Sequence, residues 1–230
     1  IGIERFLAEV LPGLERFPPR VIVNLFGVSV EEYVRLAARV EPVAGVAAME
    51  LNVSCPNVQR GGLEFGQDPE VLVRLVRAVR AVTGKPLIVK LSPNVTRPAE
   101  IGEAAKAGGA DILSAINTLL GMAIDPVSRR PRLATVRGGL SGPAIKPVAL
   151  RVVFDVARQV GLPVIGIGGI ETVDDVLEFL LAGASAVQVG SALFRDPTTA
   201  ERLVTALADR LAADGVATVR ELIGAVRLPS

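Results

Sequence analysis

The chain has 230 residues, and its 25 basic and 24 acidic side chains leave a net charge of +1, which gives no global pull toward nucleic acid or an anionic membrane. It contains no histidine and one cysteine, which excludes a Ser-His-Asp triad, a histidine-based zinc site and an internal disulfide framework. Half of the residues are hydrophobic but only 3% are aromatic, so Val, Ile, Leu and Ala must fill the core, as they do in parallel strands buried on both faces.

Taken in chain order, short apolar runs alternate with longer amphipathic ones. The strands are expected at 20–26, 48–54, 87–91, 111–117, 164–167 and 186–189. Helices are expected at 29–40, 68–83, 98–107, 145–160, 173–182 and 198–213. Asp68-Pro69 reads as an N-cap followed by the first helical position, and Gly84 as the stop of that helix. Strict strand–helix alternation predicts a parallel sheet, either doubly wound or closed as a barrel. Ala107-Gly108-Gly109-Ala110-Asp111 and Ala182-Gly183-Ala184-Ser185-Ala186 resemble each other, as repeated βα units would. No linker or low-complexity tract interrupts residues 1–230, which read as one domain. No signal peptide or membrane-length apolar run is visible. Arg74, Arg77 and Arg80 recur every three residues, the pattern of a solvated helix face. The connection 125–137, with Arg129, Arg130, Arg132 and Arg137, is too long for an ordinary link and reads as a functional loop.

The strand ends carry the chemistry. Cys55 follows the second strand in Asn52-Val53-Ser54-Cys55-Pro56-Asn57, where the proline disfavours helix in the residue before it. A lone cysteine is most often a small buried apolar residue, but this one sits in a polar loop between two amides that can grip a flat polar substrate. Asn24, Asn52, Lys90 and Asn117-Thr118 place polar groups near the same end of four consecutive strands, the end at which βα barrels hold their active sites. The last two strands end instead in Gly168-Gly169 and Gly190-Ser191, which let backbone N–H groups approach an anion. That pairing matches the phosphate site that barrels build after strands seven and eight. Only six strands can be counted, so the expected architecture is an α/β TIM (β/α)8 barrel, truncated at its N-terminus, with strands 3–8 present.

Together with Val89-Lys90-Leu91, Ile116-Asn117-Thr118 and Gly139-Leu140-Ser141-Gly142-Pro143-Ala144-Ile145-Lys146-Pro147, these motifs resemble class 1 dihydroorotate dehydrogenases from end to end. The stretch 58–66 looks more like the NAD-linked subclass than the fumarate-linked one. The resemblance implies flavin-dependent oxidation of dihydroorotate to orotate in pyrimidine biosynthesis, in the cytoplasm, with Cys55 as the catalytic base. It implies that Asn52, Asn57, Asn117 and Thr118 hold orotate. It further implies that Asn24, Asn52, Lys90, Ile116, Gly142, Gly168, Gly169, Gly190 and Ser191 contact FMN. As partners it implies an FAD- and iron–sulfur-containing electron-transfer subunit around a homodimeric core, with neither nucleic acid nor membrane. A thiol of ordinary pKa near 8.5 is a usable base where that value is lowered or the pH raised. Three other readings stay open at this point: the pyrimidine-reducing domain of dihydropyrimidine dehydrogenase, a flavin-free phosphate-binding barrel enzyme, and a non-catalytic fragment.

Overall fold

A computed structural model describes residues 2–18, 20–54 and 65–229. Strands β1 (Val21–Leu25), β2 (Val46–Asn52), β3 (Leu87–Leu91) and β4 (Ile112–Ala115) come first, followed by four short strands, β5 (Leu119–Gly121), β6 (Ile124–Asp125), β7 (Arg130–Pro131) and β8 (Gly138–Leu140). Strands β9 (Val164–Ile167) and β10 (Ala186–Gln188) complete the set. The α-helices among the described residues are α1 (Ile3–Arg5), α2 (Leu11–Leu14), α3 (Val30–Val40), α4 (Pro69–Arg80), α5 (Pro98–Gly108), α6 (Lys146–Val160), α7 (Val173–Ala182), α8 (Ala192–Arg195) and α9 (Thr199–Ala213). All six predicted strands and all six predicted helices are present.

The six main strands form one parallel sheet in the order β1-β2-β3-β4-β9-β10. This is the expected arc of a βα barrel, with β1 and β10 as its two edges. Val, Leu and Ile supply the layer between sheet and helices: Leu72, Leu75, Val76 and Val79 of α4 and Val152, Val153, Val156 and Val160 of α6 are fully buried. Gly166 of β9 serves this layer and not an anion, because a Cβ there would collide with the Phe179 ring of α7.

Capping fixes the helix starts. The Ser29 hydroxyl accepts from the Glu32 N–H at 3.2 Å, and the Asp68 carboxylate accepts from the N–H groups of Glu70 and Val71 at 2.9 and 3.1 Å. Gly109, Gly161 and Gly183 end α5, α6 and α7 in the left-handed conformation. One expected stop is corrected. The helix expected to run to Thr83 and stop before Gly84 ends at Arg80, whose guanidinium reaches the carbonyls of Thr83 and Lys85 and pairs with Asp111 at 2.8 Å. Those contacts bind up the chain beyond the helix, and the Gly84 N–H donates to Glu41 instead.

Candidate active site

Parallel strands that share one direction deliver their C-terminal ends to one side of the sheet, and the predicted site residues within the described residues lie on or just beyond such ends, except Gly142, which follows β8 of the antiparallel ribbon. Cys55 and Asn57 lie outside the described residues. The segment leading to them is firmly held. Tyr33, 1% exposed, donates its hydroxyl to the Asn52 carbonyl at 2.5 Å and stacks edge-on against Phe65, with ring centroids 5.7 Å apart. The Asn117 amide donates to the Ser54 carbonyl at 3.2 Å.

Lys90, Ile116, Gly142, Gly168, Gly169, Gly190 and Ser191 line a single cleft, together with Asn117 and Thr118. Those seven belong to the nine positions that the sequence assigns to a cofactor. The half-buried Lys90 ammonium has no ion pair among the described residues. Gly168 and Gly169 have φ of 133° and 76°, in the region that side chains disfavour. A Cβ on Gly169 would lie 2.9 Å from the Gly142 carbonyl oxygen, and one on Gly168 would lie 2.9 Å from the Ala149 Cβ. Bare backbone is therefore required at this end of the cleft, while Gly190 faces open space, with nothing within 4 Å of an added Cβ. A tight backbone cradle beside an unpaired cation suits a ligand that is anionic at one end.

The two remaining predicted cofactor residues do not line this cleft, and Asn24 lines a separate apolar groove along β1. Asn52 is tied to the cleft, because its side-chain oxygen accepts from the Asn117 amide at 2.8 Å. That bond turns the Asn52 amide nitrogen outward as a donor, and it has no partner among the described residues. Asn117 spends both N–H bonds within the chain, on Asn52 and Ser54, and its oxygen accepts from the Thr118 N–H at 2.7 Å. Its contribution is thus largely to aim Asn52. Asn24, exposed on β1, donates to Glu50 at 2.5 Å.

Sequence reasoning missed three residues here. Glu50, Ser114 and Gln188 project from β2, β4 and β10, and Glu50 accepts from Ser114 at 2.7 Å and from Gln188 at 3.5 Å. The signal was present as a glutamate in the middle of an apolar strand, in Ala48-Met49-Glu50-Leu51. The loop expected at 125–137 is in fact the tip of a ribbon of two nested antiparallel pairs, β5 with β8 and β6 with β7. Gly139 lets that ribbon lie directly on Thr118, since a Cβ there would collide with the threonine side chain. The ribbon therefore forms one rim of the cleft.

Lys146 and Asp175 brace the cleft from below. Lys146 is 2.5 Å from Asp175 and 2.8 Å from Glu178, and the hydrogen bonds it donates to these carboxylates raise its pKa. Burial works to raise the Asp175 pKa, but hydrogen bonds from Lys146 and Thr172 outweigh it and hold the carboxyl below its ordinary value. No helix among the described residues is long and apolar enough to cross a membrane.

The family model for dihydroorotate dehydrogenase matches residues 1–211. The catalytic subunit of dihydroorotate dehydrogenase B (NAD(+)) from Geotalea uraniireducens is 55% identical over 226 residues, which are 98% of this chain and 74% of that protein. Its counterpart from Geotalea daltonii is 52% identical over 228 residues, 99% of this chain and 75% of that protein. Among solved structures, the DHODH of Eimeria tenella in complex with ferulenol matches with a TM-score of 0.74 at 25% identity, over 94% of this chain and 67% of that one. With a six-stranded barrel arc, a glycine cradle and a strand-borne lysine in one cleft, and matches along nearly its whole length, the chain belongs to the dihydroorotate dehydrogenase family.

Proposed function

We propose that this chain is the catalytic subunit of an NAD-linked dihydroorotate dehydrogenase, oxidising dihydroorotate to orotate for pyrimidine synthesis in the cytoplasm. The observation that carries the reading is the convergence of Lys90, Ile116, Gly142, Gly168, Gly169, Gly190 and Ser191 on one cleft. Within the single domain 1–230, these residues with Asn24 and Asn52 would hold FMN. The glycines suit its phosphate and Lys90 the electron-rich end of its ring. When bound, FMN supplies the acceptor for the hydride from C6 of dihydroorotate.

The chain's own residues handle the proton and the positioning. Cys55, as the base, takes the proton from C5 on the face of the substrate away from the flavin. General-base help of this kind is typically worth about 10²–10⁴-fold. Asn52, aimed by Asn117, offers N–H donors to the oxygens of orotate, and Asn57 and Thr118 complete the polar grip. Tyr33 and Asn117 hold the backbone at Asn52 and Ser54, so that the strand end delivers the cysteine loop from a fixed point.

One cysteine cannot ligate a four-cysteine iron–sulfur cluster, and Gly166-Ile167-Gly168-Gly169 lacks the spacing of a dinucleotide fingerprint. Electrons therefore leave through a partner subunit bearing FAD and an iron–sulfur cluster, around a homodimeric core of the catalytic chain. The test is a visible spectrum of the purified protein, followed by dihydroorotate oxidation with an artificial acceptor and with NAD. Flavin absorption, reduction of the artificial acceptor and none of NAD without the partner are expected. A colourless, inactive protein would remove the flavoenzyme reading, and efficient NAD reduction by this subunit alone would remove the partner.

A further inference from the structure

Glu50 is a buried carboxylate, 4% exposed, for which the reaction above has no use. Taking a carboxylate out of water is costly unless its oxygens are well bonded. Both are. One oxygen accepts from the Asn24 amide at 2.5 Å, and the other from the Ser114 hydroxyl at 2.7 Å and the Gln188 amide at 3.5 Å. These donors come from β1, β4 and β10, so one side chain ties both edges of the sheet to its middle.

An asparagine amide can lie either way round, presenting its oxygen or its nitrogen to a ligand. Glu50 offers Asn24 only acceptor oxygens. The Asn24 nitrogen must therefore face Glu50, and its oxygen is turned away toward the exposed side of β1. Asn52, one strand along, is fixed in the opposite sense by Asn117 and offers its nitrogen. We propose that Glu50 is a positioning residue: it sets the sense of the Asn24 amide, so that the end of β1 presents a hydrogen-bond acceptor to the flavin while the end of β2 presents a donor. This rests on the FMN reading given above, and the isoalloxazine ring carries an N–H that an acceptor can read.

The test is FMN titration of the purified protein, followed by flavin fluorescence, with thermal unfolding of the flavin-free form alongside. In Glu50→Gln the side chain at 50 gains an N–H donor, and Asn24 is free to turn round. FMN affinity should fall at least tenfold. The double variant Glu50→Gln with Asn24→Asp moves the carboxylate to β1, restores one carboxylate–amide pair and leaves an acceptor oxygen free, so it should regain most of the loss. A purely structural strut would give no such rescue. FMN binding by Glu50→Gln within twofold of the parent, or a double variant no tighter than the single one, would overturn the proposal. Should Glu50→Gln fail to fold, the double variant decides alone: affinity near the parent's supports the assignment and a tenfold loss overturns it. A parent protein that binds no FMN would instead bring down the flavin reading, and the proposal with it.

Discussion

At the scale of single residues, the two kinds of glycine in the cleft can be separated by experiment. Gly168 is held at φ 133° against Ala149, so Gly168→Val burdens the fold as well as the ligand site. Gly190 has no such constraint. Gly190→Val should leave the melting temperature of the flavin-free protein nearly unchanged while lowering FMN affinity at least tenfold, whereas Gly168→Val should lower both. Unaltered FMN binding in Gly190→Val would move the phosphate away from this end of the cleft. Cys55→Ser should keep flavin and slow dihydroorotate oxidation at neutral pH by about 10²–10⁴-fold, with part of the rate returning as pH rises. Near-normal turnover at pH 7 would take the base assignment away from Cys55. The glycines, Lys90 and the asparagines were legible in the sequence because each is anomalous where it stands: a polar or bare residue at the end of an apolar run. Glu50 was equally anomalous, but its partners lie 26, 64 and 138 residues away in sequence, so nothing local reveals its purpose.

At the scale of elements, hydrophobic period and capping residues placed the six long helices and six main strands to within a few residues. They failed where tertiary contacts decide. The end of α4 is set by Arg80 reaching Asp111, and the 119–140 ribbon by pairings too short to leave an alternating pattern. The link between α6 and α7 makes a prediction at this scale. Asp175 accepts from the N–H groups of Glu171 and Thr172 at 2.9 and 2.8 Å, caps α7 and binds Lys146 of α6. Asp175→Asn should cost about 1–3 kcal/mol at pH 7, the worth of charged hydrogen bonds lost in a largely buried setting. The sign follows from linkage. The folded pKa of Asp175 lies below the ordinary aspartate value of 3.8, so its stabilisation is fully present above that value and is lost as pH falls through the lower, folded one. Lys146 is shifted upward from 10.5, so its share is present below that value and fades as pH rises beyond it. Urea unfolding of parent and variant should thus differ most between about pH 4 and 10 and converge in strong acid. A stability difference that stayed constant down to pH 2 would show that the pair contributes nothing through charge.

At the scale of the whole molecule, the open arc determines how the 230-residue polypeptide behaves. A barrel strand satisfies its backbone through two neighbours, but β1 and β10 each have one in this sheet. The alternation of β1 points Val23 and Leu25 into the buried layer and leaves Ile22 and Phe26 on the other face, 44% and 41% exposed. Alongside, Ile3, Phe6, Leu14 and Leu36 help to line an apolar groove of about 480 Å³ against this strand. An unpaired parallel edge next to exposed apolar side chains is a template for association. As an isolated 230-residue polypeptide the chain should bind the dye ANS and self-associate in a concentration-dependent way during sedimentation. Ile22→Lys together with Phe26→Lys should suppress both effects, because charge on that face opposes packing against another copy while leaving the buried layer of Val23 and Leu25 untouched. Association through the exposed ribbon instead, where Val127 is 91% exposed, would survive the double substitution. A parent polypeptide that stays monomeric at tens of micromolar without binding ANS would mean that the β1 edge is protected in solution, and the open arc would not describe its working form.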